Sequence, residues 1–159
     1  MDRADTLELP EITRVRVIYG DTDQMGFVYY GNYLRYFEVA RTEFLRQVGM
    51  PYRDFEQRER RQLPVVEAAL RYRRAARYDD ELALCAAVDR LASNSRFVRF
   101  VYAIRRVEAD GRPGEHLVDG HTLHACIDPD GKVTRLPPAL REAISARALP
   151  PPPAPAPGK

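Results

Sequence analysis

The chain contains no tryptophan, only two cysteines and three histidines. Lysine is nearly absent: of 25 basic residues, only Lys132 and Lys159 are lysine and the rest are arginine. That skew reads as the bias of a GC-rich genome, so a single arginine carries little functional weight. Cys85 and Cys126 lie far apart with no CxxC motif, which argues for free thiols in a reducing cytoplasm. The opening "MDRADTLELPEITR" lacks the apolar run of a signal peptide. No stretch has the length of an apolar membrane span. The formal net charge of +2 and the lack of a recognition motif give no reason to expect nucleic-acid binding.

The chain of 159 residues, 45% hydrophobic and 30% charged, suits one globular domain. Residues 1–12 read as a loose leader, 13–148 as the domain, and the proline-rich "LPPPPAPAPGK" at 149–159 as a disordered tail. Within the domain, "TRVRVIY" (13–19) alternates as a strand. Tyr33, Phe37, Ala40, Phe44 and Val48 then recur at helical spacing, widened by Leu34, Tyr36 and Leu45, so this helix is expected to be buried around much of its circumference. Gly49 and Pro51 end it. Four further alternating segments follow, around residues 66–72, 82–88, 98–104 and 115–127, with a short helix over "PPALREAISARAL". Short connections predict that these four strands are antiparallel neighbours in sequence order. A helix apolar over so much of its surface needs a cover, and one curved sheet wrapped around it supplies that cover in an α+β architecture.

The stretch "YGDTDQMGFVYYGNY" (19–33) carries the chemistry-bearing residues. As a calcium loop beginning at Asp21 it lacks an acceptor at position 5, which is Met25, and the closing carboxylate, since position 12 is Asn32. An aspartate pair after a strand also resembles the phosphoryl-transfer loops of haloacid-dehalogenase-type enzymes. Those belong to parallel sheets with intervening helices, which the four successive strands here do not allow. A plain turn fits, because aspartate side chains accept from nearby backbone N–H groups. A further reading uses the position of the loop. It ends where a buried helix begins, and a helix start offers unpaired N–H donors and a positive dipole end. A carboxylate beside such donors in an apolar setting suits acyl chemistry, in which the donors stabilise an oxyanion.

The segment "YGDTDQMGFVYYGNYLRYFEVARTEFLRQVG" (19–49) resembles the opening of the hotdog-fold acyl-CoA thioesterases, specifically the group of 4-hydroxybenzoyl-CoA thioesterase and the Tol-Pal-associated thioesterases. "YRRAARYDDEL" (72–82), "SNSRFVRFVYAIRR" (93–106) and "GHTLHACIDPDGKVTRLP" (120–137) extend the likeness over residues 13–148. It implies a hotdog fold, a long central helix wrapped by an antiparallel sheet of about five strands. It also implies hydrolysis of an acyl-CoA with CoA as part of the substrate and no separate cofactor or metal, and a homodimer or homotetramer with sites at subunit boundaries. By resemblance, Asp23 is the catalytic carboxylate, acting as nucleophile or general base. The backbone N–H of Tyr30, assisted by that of Gly31, is then the oxyanion donor. Tol-Pal-associated members commonly carry histidine where this chain has Tyr30. Gly26 permits the tight turn, Asn32 is a candidate helix cap, and Val28 and Tyr29 are expected beside the substrate. Ser95 and Arg96 are candidates for the CoA end, ahead of the arginines at 71, 73, 74 and 77.

Glu38 and Glu43 are expected to pair with arginines three positions away along the helix. His121 and His124 are expected on opposite faces of a strand, which speaks against a shared metal. Two other functions remain open: a non-catalytic acyl-CoA or acyl-carrier binding protein, and a hotdog dehydratase or hydratase, which would pair histidine with a carboxylate.

Overall fold

The computed structural model describes residues 8–89 and 93–147. Strand β1 (Glu11–Arg16) is followed by a 3-10 turn at Tyr19–Asp21 and helix α1 (Asn32–Gln47). A short helix α2 (Tyr52–Glu59) precedes β2 (Val65–Tyr72), β3 (Glu81–Val88), β4 (Phe97–Val107), β5 (Pro113–Ala125) and a closing helix α3 (Pro138–Ser145). The five strands form one antiparallel sheet in the order β1-β3-β4-β5-β2.

Helix α1, about 24 Å long at 1.5 Å per residue, lies against this sheet. Tyr33, Tyr36, Phe37, Ala40, Phe44 and Leu45 form its buried stripe. Phe37 stacks on Tyr102 with ring centroids 4.2 Å apart, and Phe44 meets Phe100 edge-on at 5.7 Å, the offset and T-shaped arrangements that aromatic quadrupoles favour. Leu34 remains 42% exposed, so the buried arc is narrower on that flank than the sequence pattern predicts. Gly49 takes φ +83° just after the helix end, where a side chain would be strained.

Two features of the sheet differ from the sequence expectation. Strand β2 does not neighbour β3. It crosses to the far edge and, among the described residues, pairs only with β5, at Ala69↔His121 and Leu70↔Gly120, while β3 sits between β1 and β4. Strand alternation reports which face a residue takes, but says nothing about strand order. β1 also begins at Glu11 and stops at Arg16. Leu9 and Ile12 are buried within the expected leader, and Tyr19, instead of continuing the strand, stacks on Tyr78 with centroids 3.7 Å apart. Residues 1–7 of that leader and the proline-rich segment 149–159 lie outside the described residues.

The sheet buries both of its faces around β3, where every residue from Leu82 to Val88 is enclosed. One face meets α1. On the other, Leu9 joins Cys85, Ala87, Val101 and Ala103 in a small apolar cluster. β2 is the opposite case, with seven of its eight residues exposed and Leu70 half-buried. None of the described helices is long and apolar enough to cross a membrane.

Candidate active site

The aspartate loop is held from three sides, and the first aspartate does most of the holding. Asp21 is 4% exposed. Its carboxylate accepts from the Arg35 guanidinium, from the Tyr36 hydroxyl at 2.9 Å and from the Ile18 N–H at 3.3 Å. Its backbone carbonyl accepts from the Tyr29 N–H and the Asn32 side-chain amide. Burial, and then the hydrogen bond to Asp21, raise the pKa of Tyr36, so the phenol stays protonated as donor. Asp21 is therefore an anchor that ties the loop to the first turns of α1. Asn32 is the first residue of the helix and does not cap it: Gly31 takes the cap position without a side-chain hydrogen bond. The Asn32 amide is spent on Asp21 instead.

The second aspartate sits at the loop tip. The Asp23 N–H donates to Phe27 at 2.8 Å, the Gly26 N–H returns to Asp23 at 3.0 Å, and the Met25 N–H reaches Asp23 Oδ1 at 2.9 Å. This is the aspartate turn anticipated above, and Gly26 serves it with φ +78°. The turn uses only one carboxylate oxygen. Oδ2 of Asp23 has no hydrogen-bond partner among the described residues. After the turn the chain pairs with the link between β2 and β3: Val28 donates to Ala76 at 2.9 Å, and the Arg77 guanidinium lies 4.6 Å from the centre of the Phe27 ring.

A cavity of about 280 Å³ opens beside Asp23. Met25, Phe27, Val28, Tyr30 and Tyr33 line it from the loop and helix, and Tyr72 through Ala75 from the end of β2. Tyr33 and Tyr72 meet edge-on with centroids 5.6 Å apart. The Tyr33 hydroxyl accepts from the Ala76 N–H at 3.1 Å, while burial raises its pKa. The N–H groups of Tyr30 and Gly31 have no protein acceptor among the described residues. The first turn of α1 has no acidic side chain and no side-chain cap, so no side chain of that turn meets its N–H donors.

Of the predicted site residues, Asp23, Val28 and Tyr30 share this cavity, and Gly31 and Gly26 adjoin it in the chain. Tyr29 packs on Tyr30 with centroids 4.6 Å apart and does not line it. Ser95 and Arg96 lie at the opposite end of the sheet, roughly 30 Å away along β4 at 3.3 Å per residue. There Leu136 donates to the Ser95 carbonyl at 2.8 Å and Cys126 to that of Arg96 at 2.9 Å, and Ser95 borders a separate cavity of about 210 Å³. Sequence reasoning missed Phe27 and Tyr72. The wall they share depends on the β2 crossover, which alternation does not encode.

On α1, Glu43 pairs with Arg46 at 3.5 Å as predicted, but Arg35 turns to Asp21 and Arg41 reaches the Tyr102 hydroxyl at 3.4 Å. The histidines separate as expected. His121 contacts Glu67 and Arg99 on the outer face, and His124 is buried against Thr122 and the Leu63 carbonyl on the helix face.

A long helix cradled by an antiparallel five-stranded sheet, with a carboxylate loop at the helix start, defines a hotdog-type enzyme scaffold. The thioesterase-like superfamily model matches residues 17–144, and the chain belongs to that family. Among curated relatives, a putative esterase from Aquifex aeolicus is 31% identical over 137 residues, spanning 86% of this chain and 98% of its own. The acyl-CoA thioester hydrolase YbgC of Escherichia coli O6:H1 is 33% identical over 119 residues, 72% of this chain and 80% of its own. Among solved structures, a DHNA-CoA thioesterase from Staphylococcus aureus superposes with a TM-score of 0.76 at 29% identity, covering 86% of this chain and 89% of that one.

Proposed function

We propose that this protein is an acyl-CoA thioesterase, which converts an acyl-CoA and water to a carboxylic acid and free CoA. The observation that carries this reading is the pairing, at one cavity, of the half-satisfied Asp23 carboxylate with the unpaired N–H groups at the start of α1. The relatives named above support the same chemistry. A thioester carbonyl placed in the cavity would accept from the N–H of Tyr30, with Gly31 beside it, as negative charge develops on its oxygen. Asp23 serves either of two routes. It attacks the carbonyl carbon and expels the CoA thiolate, leaving a mixed anhydride that water cleaves, or it takes a proton from the water that attacks directly. Both routes end in the same products and neither requires a metal, so turnover should persist in chelator.

The walls suit the rest of the substrate. Phe27, Tyr30, Tyr33 and Tyr72 offer an aromatic surface to the acyl group, and Arg74, 69% exposed at the side chain, stands at the rim where CoA phosphates would pass. No histidine lines this cavity, which favours hydrolysis over a hydratase reaction. The end of β2 lines the cavity, and the exposed edge of that strand supports assembly as a homodimer, or a homotetramer of such dimers, with the site completed at the subunit boundary. An antiparallel arrangement of two such edges brings the Ser95–Arg96 end of one protomer toward the Asp23 end of the other. The two buried, unpaired cysteines support residence in the cytoplasm.

Thiol release from a panel of short, long and aromatic acyl-CoAs tests the reading. Asp23→Asn should lower kcat by about 10² or more with unchanged folding. Turnover by that variant at the wild-type rate would exclude the mechanism.

A further inference from the structure

On the hydrolase reading above, one buried donor specifies what the acyl group must carry. Among the described residues three tyrosines are buried: Tyr33, Tyr36 and Tyr102. A phenolic hydroxyl has one proton to donate and lone pairs with which to accept. Tyr36 donates its proton to Asp21 at 2.9 Å, and Tyr102 shares a hydrogen bond of 2.7 Å with Thr122. Tyr33 differs. It is 2% exposed, and its hydroxyl oxygen accepts from the Ala76 N–H at 3.1 Å. The Tyr33 hydroxyl proton meets no acceptor among the described residues. Buried donors are nearly always paired, because one left unmet is destabilising. Burial raises the pKa of this phenol, so the proton stays in place at neutral pH.

The hydroxyl stands at the wall of the Asp23 cavity. Tyr33 lines that cavity, as does Ala75, the chain neighbour of Ala76. Val28, whose N–H reaches the Ala76 carbonyl at 2.9 Å, lines it too. Tyr33 lies in the first turn of α1, three residues beyond Tyr30. The rest of the wall offers little to a polar acyl group. Met25, Phe27 and Val28 are apolar, and the Tyr72 hydroxyl already donates to the Tyr30 carbonyl at 3.1 Å. The two arginines of the wall are also engaged, Arg73 with Asp119 and Arg74 with Glu115 at 3.5 Å. An anionic acyl group would therefore face the Asp23 carboxylate with no free cation of the wall to offset the repulsion. A neutral oxygen meets the Tyr33 proton without that conflict.

We propose that Tyr33 determines specificity by donating its hydroxyl proton to a neutral carbonyl or hydroxyl oxygen on the acyl group, so that oxygenated acyl thioesters are preferred over their hydrocarbon parents. The Ala76 N–H fixes the hydroxyl oxygen at the wall and leaves its proton for the substrate. A hydrocarbon chain bound in the same place would keep that proton buried and unmet. Discrimination then comes from a hydrogen bond that one ester completes and the other cannot.

Matched acyl-CoA esters that differ by one oxygen read this choice: hexanoyl against 3-hydroxyhexanoyl and 3-oxohexanoyl, and benzoyl against its monohydroxy isomers. The wild-type chain should favour at least one oxygenated ester over its parent by about tenfold in kcat/KM, and Tyr33→Phe should bring that ratio to within about twofold of unity. The ratio separates recognition from packing, because losing the Ala76 contact slows both esters alike and leaves their ratio unchanged. A wild-type chain with no preference for any oxygenated ester would overturn the assignment, whatever the stability of the variant. A Tyr33→Phe chain that slows parent and oxygenated esters equally would overturn it as well. The same esters titrated by calorimetry into Asp23→Asn should show the preference in binding, without turnover. That binding preference in a chain whose wild type hydrolyses none of the esters would remove the hydrolase reading alone. Hydrolysis of all of them without preference would remove the role of Tyr33 alone.

Discussion

The Tyr72 hydroxyl, at the end of the edge strand β2, donates to the backbone carbonyl of Tyr30 at 3.1 Å. One hydrogen bond thus joins the sheet edge to the residue whose N–H is proposed as oxyanion donor, and it braces the peptide segment that must hold still while charge develops. Tyr72→Phe keeps the edge contact with Tyr33 and loses only this bond. A partly exposed hydrogen bond contributes about 0.5–1.5 kcal/mol. The variant should therefore lose a little stability, a fall of roughly 1–6 °C in the unfolding midpoint, and, if the brace steadies the oxyanion donor as proposed, about two- to tenfold in kcat with KM close to wild type, measured by thermal unfolding and steady-state thiol release.

The two aspartates of the loop should separate cleanly by mutation. Asp21→Ala removes a buried acceptor from the Arg35 guanidinium, the Tyr36 hydroxyl and the Ile18 N–H. Because Arg35 is itself half exposed at 54%, solvent softens the ionic part, and a loss of roughly 2–3 kcal/mol is expected. The midpoint of thermal unfolding should fall by roughly 4–12 °C. Asp23→Asn should leave that midpoint nearly unchanged while activity collapses, the opposite pattern.

Acid should destabilise the fold through His124. Burial, reinforced by the charge of Arg41, lowers its pKa from 6.5 to about 4. The unfolded chain therefore binds a proton between these values that the folded chain refuses. The stability present above pH 6.5 is lost as pH falls toward 4, by roughly 3 kcal/mol from this residue. Urea unfolding at a series of pH values should show that slope, and His124→Gln should flatten it.

Gly120 is expected to be intolerant of even a methyl group. A Cβ there would meet the Ala69 carbonyl at 2.2 Å and the Phe37 ring at 3.0 Å. Gly120→Ala should cost about 1–3 kcal/mol and push β2 away from β5, visible as a lower unfolding midpoint and weaker self-association.

Burial pushes the Cys85 thiol up to about 11 and that of Cys126 upward as well. At pH 8 both should resist alkylation in the native protein and react together on unfolding, as mass spectrometry after an iodoacetamide pulse would show.

The sequence by itself determined a good deal of this protein. Helix α1 was legible from the Tyr33–Phe37–Ala40–Phe44 spacing, because a helix buries one stripe. Strands β2 to β5 were legible from alternation, because a strand turns over at each residue. The turn at Gly26 and the polar loop around Asp23 were legible from local backbone chemistry. Each of these signals depends on residues a few positions apart. The tertiary structure alone decided that β2 runs along the far edge beside β5, which brings Tyr72 to the cavity and exposes the edge. It also gave Asp21 to the anchor and left Asp23 at the tip. Asn32 went to the Asp21 carbonyl, not to a cap, and Arg35 to a carboxylate fourteen residues back, not to Glu38. Those outcomes hang on which strand lies beside which. Alternation is identical for any strand order, and only the packing of the whole sheet against α1 distinguishes one order from another.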